Sequence, residues 1–286
     1  MKNNILLVDG MALLFRGFYA TSYRDNYMYT KSGIPTNGVY QFLRYLFDAI
    51  NHFKPTHIIC CWDMGSKTFR TDVYPDYKAN RIEPPEELIP QFELVKDVTR
   101  TLSIPNIGLD NYEADDCIGT LASQYAPFVH VTILTVDHDL LQLVSQSVSV
   151  AIMKKGQGNY DIFTIDNFVD KKGINPNQIV DYKALTGDSA DNYPGVKGIG
   201  EKTATKLLKE YETIDQLLNN LEHLSSTIKK RIKTNLNMLH ISRELAQIKC
   251  DIPISLPLDQ ATWIIDKESV KQTFISMECE HFTKII

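Results

Sequence analysis

The chain has 286 residues, 43% of them hydrophobic and 23% charged, with a formal net charge of −5. This is the composition of an ordinary soluble globular protein with a sizeable core. No apolar run approaches the roughly 20 residues that span a bilayer, and on its face the negative balance argues against nucleic acid as a partner. The opening stretch MKNNILLVDGMALLFRGFYA is interrupted by Asp9 and Arg16, which makes a poor signal-peptide core. Cys60, Cys61, Cys117, Cys250 and Cys279 form no C-x-x-C pair, so reduced thiols in a cytoplasmic protein are expected and zinc is not.

In chain order, NILLV (4–8) reads as a buried strand that stops at Asp9-Gly10. VYQFLRYLFDAINHF (39–53) has helical spacing and ends before Pro55, and HIICCW (57–62) is a second buried strand, stopping at Asp63. Residues 64 to 104 form a long connection rich in Lys, Arg, Tyr, Pro and Glu, partly helical from about Pro85. NYEADD opens the helix CIGTLASQYA, VHVTILTV (129–136) is a third strand ending at Asp137, HDLLQLV starts another helix, and VSVAIM (148–153) is a fourth strand. Strands alternating with helices predict an α/β fold with a mostly parallel sheet covered on both faces. After about Asn175 the pattern is helical almost throughout. The expected division is a core over 1–174, with the long connection inside it, and a helical region over 175–286.

In such a sheet, ligands bind outside the carboxyl ends of the strands. Asp9, Asp63 and Asp137 each follow a buried strand and so share that edge, with Asp139 two residues on. Glu113, Asp115 and Asp116 open a helix whose N-terminus belongs at the same edge. One such acid is an ordinary turn former or helix-start residue. Several from separate strands would repel strongly unless a cation joined them. Oxygen ligands without His or Cys favour Mg²⁺, with Mn²⁺ as a substitute.

A second constellation is GDSADNYPGVKGIGEKTATK (187–206). Asp188 and Asp191 precede a glycine-rich turn between two helices, a helix-hairpin-helix over about 178–211. No strand precedes GVKGIG, which argues against a dinucleotide fingerprint. Gly195, Gly198 and Gly200 allow a tight turn whose exposed amides suit a backbone phosphate, and Lys197, Lys202 and Lys206 add charge. A third is the stretch 64–81, where Lys67, Arg70, Lys78 and Arg81 alternate with Phe69, Tyr74 and Tyr77. Interleaved bases and aromatics suit a nucleic-acid strand, although alone they describe a solvated loop. KKRIK (229–233) reads as a solvated helix face, His138 as a spacer and Cys60-Cys61 as core.

LLVDG (6–10), WD (62–63), FR (69–70), YKANR (77–81), YEADD (112–116), TVDHDLLQL (135–143) and GDSADNYPGVKGIGEKTA (187–204) together resemble the 5′-nuclease, or flap endonuclease, family. The likeness is to the 5′-3′ exonuclease domain of bacterial DNA polymerase I in particular, in motif order over nearly the whole chain. With no polymerase domain following, a free-standing member is expected. The resemblance implies a PIN-like nuclease core, a helical arch over about 64–104, and two metal groups. The first is Asp9, Asp63, Glu113, Asp115 and Asp116; the second is Asp137, Asp139, Asp188 and Asp191, with Asp115 between the ions.

It further implies Lys78 and Arg81 as catalytic residues, the basic side chains nearest the scissile phosphate, supplying positive charge. Arg70, Tyr77, Gly195, Lys197, Gly198, Gly200 and Lys202 would contact DNA, and K⁺ would sit on hairpin carbonyls. Asn111 stands where the family commonly has glycine. With nine carboxylates assigned to metal, the remainder of the chain turns from −5 to +4, which removes the charge objection. The implied activity is metal-assisted hydrolysis of DNA with 5′ flaps or frayed 5′ ends, RNA–DNA primer junctions included, by a cytoplasmic monomer serving replication and repair. The rivals are a non-catalytic binder of branched DNA, which gains nothing from a complete acid set, and a metal-dependent RNase of the same fold.

Overall fold

The computed structural model describes residues 3–23, 27–156 and 158–286. Along the chain run β1 (Asn4–Asp9), α1 (Gly10–Thr21), α2 (Asn37–Phe53), β2 (His57–Cys61), α3 (Phe69–Val73), α4 (Ile89–Thr101), β3 (Asn106–Ile107), α5 (Ala114–Tyr125), β4 (His130–Thr135), β5 (Val148–Met153) and β6 (Tyr160–Phe163). Helices follow: α6 (Ile165–Lys172), α7 (Ile179–Thr186), α8 (Glu201–Tyr211), α9 (Ile214–Asn219), α10 (Ser226–Thr234), α11 (Leu236–Ala246) and α12 (Lys267–Ser276).

The strands form one sheet in the order β3-β2-β1-β4-β5-β6. All pairings are parallel except β5 with β6. Alternation along β1 explains why both faces are covered: Ile5 and Leu7 enter the core that holds α5, while Leu6 and Val8 enter the core that holds α1 and α2. The chain moves outward from β1 in one direction through β3 and then restarts at β4 on the other side. Strand order therefore reverses between β1 and β4, where a crevice opens at the carboxyl ends.

The sheet has six strands rather than the four read from the sequence. β3 has two residues, too few to show alternation, and β6 is a short, half-exposed edge strand without a buried apolar run. At the turn from β1 into α1, Gly10 lies against the Trp62 ring, which a Cβ would meet at 2.6 Å. The glycine lets the first strand-end aspartate stand beside the second. In the hairpin, Gly187 and Gly195 have φ of +73° and +62°, and a Cβ on Gly195 would meet the Gly187 nitrogen at 2.2 Å. That close approach demands glycine on both counts.

Candidate active site

Asp9 ends β1 and caps α1. Its Oδ1 accepts from the Ala12 amide at 3.1 Å and its Oδ2 from the Thr135 hydroxyl at 2.7 Å. Burial pushes its carboxyl up to about 7, against those two hydrogen bonds, and Asp63 and Asp137 add to the rise. Asp63, beyond β2, accepts from the Ala114 amide at 2.7 Å and is also raised, by burial first and by Glu113. Asp115 lies in the first turn of α5. Burial lifts its carboxyl well above the ordinary range, and Asp137, Asp9 and Glu113 lift it further. These residues line one cavity of about 210 Å³ with Glu113, Asp137, Lys78 and Arg81. The crowding is of charge rather than of ligand atoms: among the described residues no three acids, thiols or imidazoles are drawn into a ready cation cage.

The hairpin-side acids differ. Lys183, on α7, pairs with both Asp139 and Asp188. Asp139 is still raised to about 7, by burial and by Asp137, with Lys183 opposing. At Asp188, burial is outweighed by Lys183 and by the Ala190 and Asp191 amides, so its carboxyl falls below the usual range. Asp191 accepts from Arg81 at 2.8 Å and from the Tyr77 hydroxyl at 3.0 Å. In the sequence Lys183 is one residue of a helix, and its place in the last turn before Gly187-Asp188 is the one signal that it sits near these acids.

The arch stretch folds onto these acids. α3 is followed by turns that carry Lys78, whose amide donates to the Asp191 carbonyl at 3.0 Å. Its φ is +56°. The Lys78 ammonium stands 2.8 Å from Glu113 and 3.9 Å from Asp191. Burial lowers its pKa, and those two carboxylates more than restore it, so the group is held protonated.

Three residues sit elsewhere than the resemblance implied. Asp116 is fully buried (0% exposed), and its oxygens accept a bidentate pair from Arg70 at 2.8 and 2.9 Å. They also accept from the amides of Glu113 and Lys249. All its acceptor capacity is used, so Asp116 is a fixed anion in the arch base and not a free metal ligand. Arg70, at 2% exposure, also donates to the Leu245 and Gln247 carbonyls, and so anchors the arch instead of meeting a phosphate. Tyr77, at 4%, is too buried to stack on a base; its hydroxyl bridges Glu113 and Asp191. For Asp116 the reason is helical: consecutive residues point about 100° apart, so Asp115 and Asp116 cannot share a face.

Asn111 keeps the glycine-like turn, with φ of +73°, and its carbonyl accepts from the Phe69 amide at 3.1 Å. Asparagine tolerates that conformation better than other side chains. In the hairpin Lys197, Gly198, Gly200 and Lys202 are exposed, while Gly195 is buried under the turn. The Gly198 carbonyl already accepts from Arg231 at 2.7 Å.

Two family profiles match the chain. The 5′-3′ exonuclease N-terminal resolvase-like domain covers residues 4–173, and the 5′-3′ exonuclease C-terminal SAM fold covers 174–268. A 5′-3′ exonuclease of Bacillus subtilis (strain 168) is 54% identical over 267 residues, 93% of this chain and 90% of that protein. DNA polymerase I of Bacillus caldotenax is 38% identical over 285 residues, 99% of this chain, which spans 32% of the polymerase's length. Among solved structures, T5 5′-exonuclease with divalent metal ions (zinc) bound aligns with a TM-score of 0.71 at 20% identity, over 99% of both chains. Flap endonuclease-1 from Methanococcus jannaschii aligns with a TM-score of 0.61 at 16% identity, over 99% of this chain and 90% of that one. At these identities the structural likeness is one of fold: a mostly parallel, helix-flanked sheet of resolvase type, followed by a helical SAM-like region. With both profiles adjoining across residues 4–268 and more than half of the aligned residues shared with the B. subtilis protein, the chain belongs to the 5′-3′ exonuclease family.

Proposed function

We propose that the protein hydrolyses DNA phosphodiesters at 5′ flaps and frayed 5′ ends, with divalent cations held in the cleft at the sheet's carboxyl edge. One observation carries this reading: Asp9, Asp63, Glu113, Asp115 and Asp137 line a single cavity that also receives Lys78 and Arg81. The donor set fits hard cations, being all carboxylate, and burial first, then neighbouring acids, raises Asp9, Asp63 and Asp115, a rise that a bound cation would oppose. When bound, Mg²⁺ or Mn²⁺ would activate a water and offset charge on the phosphate.

The chain's own groups do the rest. Asp9 is oriented by Thr135 and Ala12, and Asp63 by Ala114, so two ligands are fixed before any ion arrives. Lys78 and Arg81 place positive charge at the cleft, where a phosphate gains negative charge during hydrolysis. Tyr77 holds Glu113 and Asp191 together beneath them. Asp139, Asp188 and Asp191 would complete a second metal group only by releasing Lys183 and Arg81. The exposed hairpin lysines, Lys197 and Lys202, face the duplex arm.

A hairpin K⁺ is not part of the proposal, because Arg231 already sets a cation against the Gly198 carbonyl. Among the described residues no helix is long and apolar enough to cross a membrane. The cytoplasm, a monomeric state and RNA–DNA primer junctions complete the reading. A 5′-labelled flap duplex incubated with Mg²⁺, and then with chelator, tests it: cleavage that survives chelation, or none in Mg²⁺ and Mn²⁺, would overturn it.

A further inference from the structure

A second cavity, of about 650 Å³, opens where the end of α6 meets the hairpin helices α7 and α8. Its wall carries Lys171, Lys172, Lys183 and Lys202, and Glu201 is the one acid among its lining residues. Two of the lysines are already paired. Lys171 donates to Asp161 and to the Ile162 carbonyl, both at 2.8 Å, and Lys183 is held by Asp139 and Asp188.

Lys172 and Lys202 form no ion pair among the described residues. The Lys172 ammonium lies 5.3 Å from the centre of the Phe163 ring, a weak cation–π contact. Burial holds its pKa below the usual lysine value, and Lys183 adds to that, with Asp161 and Glu201 opposing. A half-buried ammonium short of counter-charge is a cost to the fold, and it is relieved by an anion.

The placement says which anion. α8 supplies Lys202 from the hairpin, and Lys183 ties the same wall to the acids beside the cleft. A duplex held by the hairpin and cut at the cleft must carry a strand between them. We propose that this niche binds a backbone phosphate of the duplex arm through Lys172 and Lys202, and so sets the distance from the hairpin grip to the scissile bond. The proposal rests on the nuclease reading above and adds a contact to it. The lining floor is aliphatic, with Leu141, Ile174 and Ile179, which suits the sugar edge of a strand passing over it.

The test compares wild type with Lys172→Ala and Lys172→Arg, binding a flap duplex in Ca²⁺ over a range of KCl. Lys172→Ala should weaken binding roughly tenfold, as for one charged hydrogen bond. It should also lower the salt slope by about 1, while Lys172→Arg keeps the slope. Methylphosphonate placed singly along the duplex arm should reveal one position that weakens wild type and not Lys172→Ala. That readout does not respond to a structural role of Lys172, and a thermal melt of each variant checks the fold. An unchanged slope, or a methylphosphonate penalty equal in both proteins, overturns the proposal. So does a flat scan in which dAMP or inorganic phosphate raises the melting point of wild type alone, since the niche would then serve a free phosphate. Wild type that cleaves flaps while Lys172→Ala binds as well as it does sinks the niche and leaves the function; wild type that neither binds nor cleaves sinks both.

Discussion

The first turn of α5 serves two regions, the arch base and the cleft, which treat the same side chain differently. In the arch base Asp116 meets a guanidinium edge-on, two amides complete its shell, and water is excluded. In the cleft the carboxyl of Asp115, its neighbour in sequence, is driven upward by burial first and then by Asp137, Asp9 and Glu113. The hairpin-side acids are intermediate, because Lys183 and Arg81 neutralise them from within. A satisfied carboxylate holds structure. A buried, crowded one is a standing demand for outside charge, and that demand is what a metal-dependent site exploits.

The sharpest break of this comparison is to neutralise one member on each side. Asp115→Asn should reduce single-turnover cleavage by more than the roughly 1,000-fold attributed to one electrostatic donor. It should raise the melting point without divalent ions, because a costly buried charge is removed. Unchanged cleavage would take Asp115 out of the chemistry. Arg70→Met should do the reverse. It leaves Asp116 buried without its partner, and a stability loss of about 3–5 kcal/mol is expected in urea unfolding. A loss under about 1 kcal/mol would show the pair to be a surface-like bridge.

Lys78→Ala lies between the two regions. If the ammonium acts on the transition state, kcat should fall about 100- to 1,000-fold while binding in Ca²⁺ weakens far less. A binding defect equal to the whole rate defect would make Lys78 a docking residue. The smallest effect is expected from Lys183→Met. Freed of their internal cation, Asp139 and Asp188 should take divalent ions more readily. The Mg²⁺ concentration giving half of the maximal thermal stabilisation should then fall several-fold, by linkage. An unchanged midpoint would mean that those acids do not bind the ion that stabilises the fold.

The strands, their common carboxyl edge and the aspartates that close them were legible in the sequence. Burial on both faces writes continuous apolar runs, and LLVDG, HIICCWD and VHVTILTVD each stop at an acid. The hairpin was legible for a related reason: Gly187 and Gly195 approach so closely that no other residue fits. β3 and β6 were not legible, since two residues cannot display a period and an edge strand need not be apolar. Within NYEADD the number of acids was plain but their division was not. The spacing of Glu113 and Asp116 was a visible hint, because Asp116 reaches back to the Glu113 amide as a capping box does.

What only the tertiary structure decided is which charges find partners. Arg70 and Asp116 are 46 residues apart, Lys183 and Asp139 lie on different elements, and Tyr77 reaches Asp191 from 114 residues away. Periodicity and capping act over a few residues, so the sequence can show them locally. Pairing across the fold depends on where the chain brings distant side chains together. That is why the sequence could show acids closing the strands, and only the fold separated the acids that pair with distant bases from those it crowds into the cleft.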